Sequence, residues 1–221
     1  MEQSALRLKI EKDKSITNIG FNYGYDSANF SSVFKKHLRI SPAQFRKIAN
    51  TTDPLHPLYP DRPGRYKSFD ELDRQISLQE LDDFFVIYER RIGNYIDLEE
   101  NWCDFTEKYK ALLTEDTLLI ERSYDDPTIT NIDQCLYDIC MTVDRGCCLD
   151  NVMTIRGGKF AVYRFEGPIA EIFFAYQGIF THWLPYSRFE MDERYGLDIY
   201  RAVDEENMQV VMDLCIPVKI K

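Results

Sequence analysis

The chain is 221 residues long and carries 27 Lys+Arg against 37 Asp+Glu, a formal net charge of −10, with length enough for one large domain or two small ones, each with its own core. No apolar run approaches the roughly 18 residues that span a bilayer, and Met1 leads into charged sequence instead of a basic-then-apolar leader, which excludes a membrane partner and implies a cytoplasmic protein. The six cysteines (Cys103, Cys135, Cys140, Cys147, Cys148, Cys215) show no CxxC spacing and only three histidines accompany them, so reduced thiols are expected and neither a metal nor a cofactor is implied.

The charge is unevenly placed. Residues 1–50 hold nine Lys/Arg and four Asp/Glu, whereas residues 51–221 hold eighteen and thirty-three. A basic head suits a phosphate backbone, and an acidic body repels one while favouring cationic ligands. Within the head, Ser15 is placed to cap a short helix over residues 16–23, with Gly24 after it. Asp26 or Ser27 caps a second helix to about Leu38, whose Phe30, Val33, Phe34 and Leu38 share one face. That leaves Ser27, Ala28, Asn29, Ser31, Ser32, Lys35 and Lys36 outward. Ser41-Pro42-Ala43-Gln44 is a capping box with proline at the first helical position, opening a third helix through Phe45 and Arg46. Helix, glycine turn, helix with a small polar and basic outer face is the geometry of a major-groove reader, although the pattern alone also fits any corner of a three-helix bundle.

Residues 16–46 resemble the second helix-turn-helix of AraC-type transcription regulators, with Ile19, Gly24, Tyr25, Phe30, Ser31, Phe34, Lys35, Ser41, Pro42, Phe45 and Arg46 at family positions. Gly20, Ser32 and Arg39 depart from it, standing where alanine, arginine and a turn glycine are usual. The resemblance implies double-stranded DNA as a partner, with Ser41, Gln44 and Arg46 joining the outward residues of the second helix as DNA contacts. Residues 5–14 resemble only the helix that joins the two reading units of such regulators. A single unit is therefore expected to bind DNA weakly unless the protein forms a homodimer.

Residues 51–70 contain Pro54, Pro57, Pro60 and Pro63 and are expected to form a semi-rigid extended linker, with His56 solvated, between a head at 1–50 and a body at 71–221. The body repeats one order of elements: strand at 84–93, helix at 97–113, strands at 117–123 and 135–143, then strand segments over 151–167 about Gly157-Gly158, helix at 170–184, strands at 196–201 and 210–218. The two passes align on Gly93 and Gly167. The fold class is therefore α+β, with a short all-α head followed by a duplicated β-α-β-β domain whose antiparallel sheet leaves a cleft at a pseudo-twofold interface, a place where small ligands bind.

Gly157-Gly-Lys-Phe-Ala-Val-Tyr163, Trp183-Leu-Pro-Tyr-Ser-Arg-Phe-Glu190, Leu197-Asp-Ile-Tyr200 and Asp213-Leu-Cys-Ile-Pro-Val-Lys219 resemble segments of GyrI-like effector-binding domains, in order, across residues 83–219. The resemblance implies a small organic ligand, cationic where a last-strand carboxylate sits among aromatics. Here that carboxylate is Asp213, where glutamate is more usual, with Trp183 and Tyr137 first and Trp102, Tyr109, Phe173 and Tyr176 next as the aromatic wall. Any of these rings is equally at home in a core. No catalytic residue is assigned: His182 has no cysteine or serine at motif spacing, and Cys147-Cys148 sit in a turn-like stretch. The reading is a transcription regulator whose effector domain modulates DNA binding. Two alternatives stay open, a DNA-independent protein that sequesters toxic compounds or inhibits a partner such as DNA gyrase, and a hydrolase using Glu166 or Asp213 to activate water.

Overall fold

The structure is a computed structural model that describes residues 1–62 and 64–221; Pro63, the last of the four linker prolines, lies outside the described residues. Four helices open the chain: α1 (Glu2–Ile10), α2 (Ile16–Asn22), α3 (Ser27–Leu38) and α4 (Pro42–Thr51). Local chemistry sets their ends. Ser15 and Asp26 accept from the backbone N–H groups of Asn18 and Asn29, and both arms of the Ser41–Gln44 capping box are made. Gly24 follows α2 at φ +79°, and Arg39 makes the same kind of left-handed turn after α3 at φ 65°.

Helix α1 has no single apolar stripe because both of its faces are covered. Ala5 and Leu8 pack with Ile19, Phe30 and Phe34 of the head, whereas Leu6 and Ile10 belong to the core of the body, beside Leu72, Ile179 and Trp183. A helix buried on two sides welds two units into one. Polar contacts add to the joint: Arg7 donates to the carbonyls of Met191 (2.6 Å) and Asp192 (2.5 Å), and Lys14 pairs with Glu190 at 2.8 Å.

The body comprises α5 (Phe69–Gln75), β1 (Ile76–Leu81), β2 (Phe84–Ile92), α6 (Leu98–Lys108), β3 (Leu119–Ser123), β4 (Leu136–Thr142), β5 (Val152–Ile155), β6 (Gly158–Pro168), α7 (Ile172–Gly178) continued by π-helical Ile179–Trp183, β7 (Phe189–Met191), β8 (Gly196–Asp204) and β9 (Gln209–Ile220). The antiparallel sheet runs β1-β6-β9-β8-β3-β4-β2-β5, with β7 on β9. Its centre is palindromic in the repeat: β6-β9-β8 is matched in reverse by β3-β4-β2, so the pseudo-twofold axis passes between β8 and β3. Gly93 and Gly167, the two aligned glycines, both turn a strand towards a helix at positive φ (+152° and +157°), where a side chain would be strained.

The sheet curls until its ends meet. Val86 of β2 and Phe160 of β6, distant along the sheet, share one buried cluster on its inner face with Ile120, Leu197 and Cys215. Gly157 sits so close to the β1–β2 link that a Cβ there would lie 2.1 Å from the Leu81 carbonyl oxygen. On the outer face α6 covers Tyr137, Ile139 and Met141, and α7 covers Ala161, Tyr163, Met212 and Leu214. None of the described helices is long and apolar enough to cross a membrane.

Helix α5 and strands β1 and β7 have no counterpart among the sequence-predicted elements. The residues of β1 are mostly exposed on both sides at the sheet edge, and β7 is three residues long, so neither carries a legible alternation. The linker also corrects an expectation. His56 is not solvated but 6% exposed, packed against Phe173 (ring centroids 4.8 Å), Tyr59 (4.9 Å) and Phe174 (5.6 Å). Its Nδ1 accepts from the backbone N–H groups of Leu58 and Tyr59. The aromatic flank of α7 needs cover, and the proline-restricted segment supplies it.

Candidate ligand-binding site

Strands β3 and β8 meet at the pseudo-twofold seam in the register Leu119↔Tyr200, Glu121↔Asp198 and Ser123↔Gly196. Side chains alternate across a strand, so Leu119, Glu121, Ser123, Asp198 and Tyr200 point to the outer face, with Gly196 in the same register. Above them, between α6 on one side and α7 on the other, lies a cavity of about 910 Å³ that all six line, a volume that suits a drug-sized molecule. Trp102 of α6, Tyr95 just before it, Phe173 and Tyr176 of α7 and Phe180 of the π-helical turn form the walls; Met212 and Val210 extend the floor. Gln3 and Leu6 of α1, together with linker residues His56 to Tyr59, close the far side. The head and linker are thus part of the cavity wall.

Glu121 and Asp198 are 3% and 5% exposed. Their partners are neutral hydroxyls: Tyr200 (3.1 Å) and Ser123 (3.2 Å) donate to Glu121, and Tyr176 donates to Asp198. Neither carboxylate pairs with a lysine, arginine or histidine among the described residues. Burial pushes both carboxyls up from their ordinary values, against the hydroxyl hydrogen bonds, and the neighbouring Glu121 charge raises Asp198 further. Burial and the adjacent carboxylates likewise raise Tyr95, Tyr176 and Tyr200, keeping Tyr176 and Tyr200 protonated as donors to the pair. The Trp102 indole N–H is buried without a hydrogen-bond partner among the described residues. An aromatic chamber with an acidic floor, whose lining Arg62 is already paired with Glu171, is chemically suited to a positively charged organic group through charge and ring quadrupole together.

Residues 74–219 match the GyrI-like small molecule binding domain. The chain belongs to the GyrI-like family. The C-terminal domain of EcmrR, in its crystal structure, superposes with a TM-score of 0.54 at 18% identity, over 66% of this chain and 98% of that one. EcmrR in a cryo-EM structure of its DNA complex gives 0.55 at 10% identity, over 100% of this chain and 78% of that one. These likenesses establish a shared fold. A stretch of 44 residues, 20% of this chain, is 46% identical to the probable transcription factor PqrA of Proteus vulgaris, and the chain spans 36% of the length of that curated relative.

Of the residues picked from the sequence of this GyrI-like unit, Trp102, Phe173 and Tyr176 line the cavity. Asp213 does not. It alternates with Met212 and Leu214 and so falls on the inner face of the sheet, where Arg164 and Arg201 clamp it. Asp138, its counterpart in the first repeat, is clamped the same way by Arg90 and Arg122. A feature duplicated with its two arginines is a strut of each half-sheet. Trp183 faces away from the cavity and donates its Nε1–H to Asp73 at 2.8 Å. Tyr137 lies behind Tyr95, its hydroxyl accepting from Asn101 (2.9 Å), and Tyr109 is tied to Glu89 and Asn151. Sequence reasoning missed Glu121, Asp198, Tyr200 and Tyr95. One signal was present: an acid two residues before a tyrosine in the otherwise apolar Leu197-Asp-Ile-Tyr200, where period two puts both on one face.

In the head, Ser27, Ala28, Asn29, Ser31, Ser32, Lys35 and Lys36 are exposed along α3. Ser41 and Gln44 spend their side-chain oxygens on the capping box. Arg46 turns inward, its guanidinium reaching the carbonyls of Leu8 in α1 and Glu11 just after it at 3.4 and 3.5 Å, because α4 packs against α1 at that position. It braces the head and is not part of the outward face.

Proposed function

We propose that the chain is an AraC-type transcription regulator in which an organic cation, bound over Glu121 and Asp198, alters how helix α3 meets double-stranded DNA. The observation that carries the ligand half is the pair of buried carboxylates without a counter-charge, walled by Trp102, Tyr95, Tyr176 and Tyr200. The DNA half is supported by the exposed, lysine-bearing face of α3, capped by Asp26 and followed by the Ser41 capping box, which together have the form of a helix-turn-helix reader.

Coupling between the two needs an element that contacts both, since a ligand shifts an equilibrium only by binding its two states differently. Helix α1 meets that need. Gln3 and Leu6 line the cavity while Ala5 and Leu8 hold the head. Its Lys9 is buried between Asp126 (2.8 Å) and Gln177 (2.5 Å), which are themselves cavity residues. A ligand that moves the 126 loop or α7 moves the helix on which the head is built.

The test is a thermal-shift screen of the full chain against tetraphenylphosphonium and rhodamine, followed by DNA-binding titrations with and without the compound that shifts. A ligand specific to the folded form at a hundredfold excess over its Kd adds about 2.7 kcal/mol of stability. Stabilisation lost in Asp198→Asn, with DNA affinity that changes on ligand addition, is the expected result. No shift with any lipophilic cation rejects the ligand half; DNA affinity indifferent to a bound cation rejects the coupling.

A further inference from the structure

We propose that Glu121 and Asp198 act as one proton-exchange unit, in which an organic monocation entering the cavity displaces a proton to solvent, so that ligand and proton compete for the site. This rests on the cation reading above and adds to it a stoichiometry and a control by pH.

The geometry is that of a facing pair. Glu121 and Asp198 are direct cross-strand partners on the same face of β3 and β8, which places their Cβ atoms about 5 Å apart. Both are buried under the same cavity. Among the described residues no lysine, arginine or histidine pairs with either carboxyl, and Arg62, which lines the cavity, is paired with Glu171. Tyr200 faces them from β8, Tyr176 from α7 and Tyr95 from the turn before α6, all neutral phenols, while α6 adds Trp102 and Glu99; β9 contributes Gln209 with the apolar Val210, Met212 and Ile216, and the further lining carboxylates are Asp125, Asp126 and Glu205. Cys215 lies across the sheet on its inner face. The cations nearest the cavity are already engaged, Lys9 with Asp126 and Arg62 with Glu171, and His56 is enclosed by Phe173 and Phe174.

Two carboxylates so placed cannot both ionise in an apolar chamber, because each charge is desolvated and repels the other; the empty site therefore keeps at least one proton. A monocation seated over both oxygen sets screens that repulsion, and the second carboxyl then ionises. The balance is simple: the singly protonated pair plus the cation gives the doubly ionised pair with the cation bound, and one proton passes to water. A neutral ligand leaves the proton in place.

The experiment is calorimetric titration of the full chain with tetraphenylphosphonium, whose fixed charge cannot itself release a proton, in buffers of different ionisation enthalpy between about pH 6 and pH 8. The expected result is release of at least about one proton per bound cation, with Kd tightening by about tenfold per pH unit for each proton released. In Glu121→Gln, where one carboxyl remains, the release falls and the pH dependence flattens. Binding of tetraphenylphosphonium with no proton release and constant Kd across that range overturns the exchange and leaves the cation reading standing. Absence of binding at every pH removes the cation reading, and the exchange falls with it.

Discussion

Replacing Glu121 by glutamine should stabilise the ligand-free protein, by an amount that grows with pH. The carboxyl is buried and its only polar partners among the described residues are the hydroxyls of Ser123 and Tyr200, so burial pushes its pKa from the ordinary 4.5 up to about 7. Below 4.5 the group is protonated in both folded and unfolded chains and costs nothing. Between 4.5 and about 7 the unfolded chain has released the proton that the folded one retains, so stability falls as pH rises, and above about 7 the full cost is present. At 1.36 kcal/mol per pH unit that cost is about 3 kcal/mol. Glutamine keeps the shape, can bond to both hydroxyls and removes the charge that also disfavours ionisation of Asp198. Urea denaturation of the wild type and the variant across this pH range should give curves that converge in acid and separate by roughly 2–3 kcal/mol in mild alkali. A variant less stable than wild type at pH 8, or a difference that does not change with pH, would refute the account of a buried, unpaired carboxylate.

Lys9→Met should destabilise the folded protein by about 3–5 kcal/mol, because it strands Asp126 as an uncompensated buried charge, and Lys9→Met with Asp126→Leu should recover much of the loss in thermal denaturation. Asp213→Asn should lower stability by weakening the Arg164–Arg201 clamp while leaving tetraphenylphosphonium affinity unchanged, whereas Asp198→Asn should abolish most of that affinity in the same calorimetric titration. Trp102→Leu should weaken the cation by roughly 0.5–2 kcal/mol, and Trp183→Leu should not, since Trp183 faces Asp73 and the α5 side. Arg39→Gly should raise stability by about 0.5–1 kcal/mol, relieving a left-handed backbone at a non-glycine residue, as read from chemical denaturation midpoints.

Much of this architecture was legible in the chain because its signals are local. Ser15, Asp26 and Ser41 cap helices through side chains within three residues, and the capping oxygens do what their positions dictate. The paired glycines, Gly93 and Gly167, recur at matched points in two passes of strand and helix, so the duplication and its α+β class followed from order alone. Trp102, Phe173 and Tyr176, put forward from the GyrI-like resemblance as part of an aromatic wall, line the cavity.

The acidic floor was not found, and the reason is physical. An isolated strand position says which residues share a face but not which face is covered, so Asp198 and Asp213 are equivalent candidates until the neighbouring strands are known. Register decides between them: Asp213 meets Arg164 and Arg201 on the inner face, while Asp198 meets Glu121, which is 77 positions away in the chain. The same holds for the linker, whose prolines set its stiffness but whose burial of His56 depends on the flank of α7 beneath it. By itself the sequence determined the caps, the order of elements, their duplication and the basic head; only the tertiary structure decided where the charges are stranded without partners, because that depends on contacts between residues that no local spacing brings together.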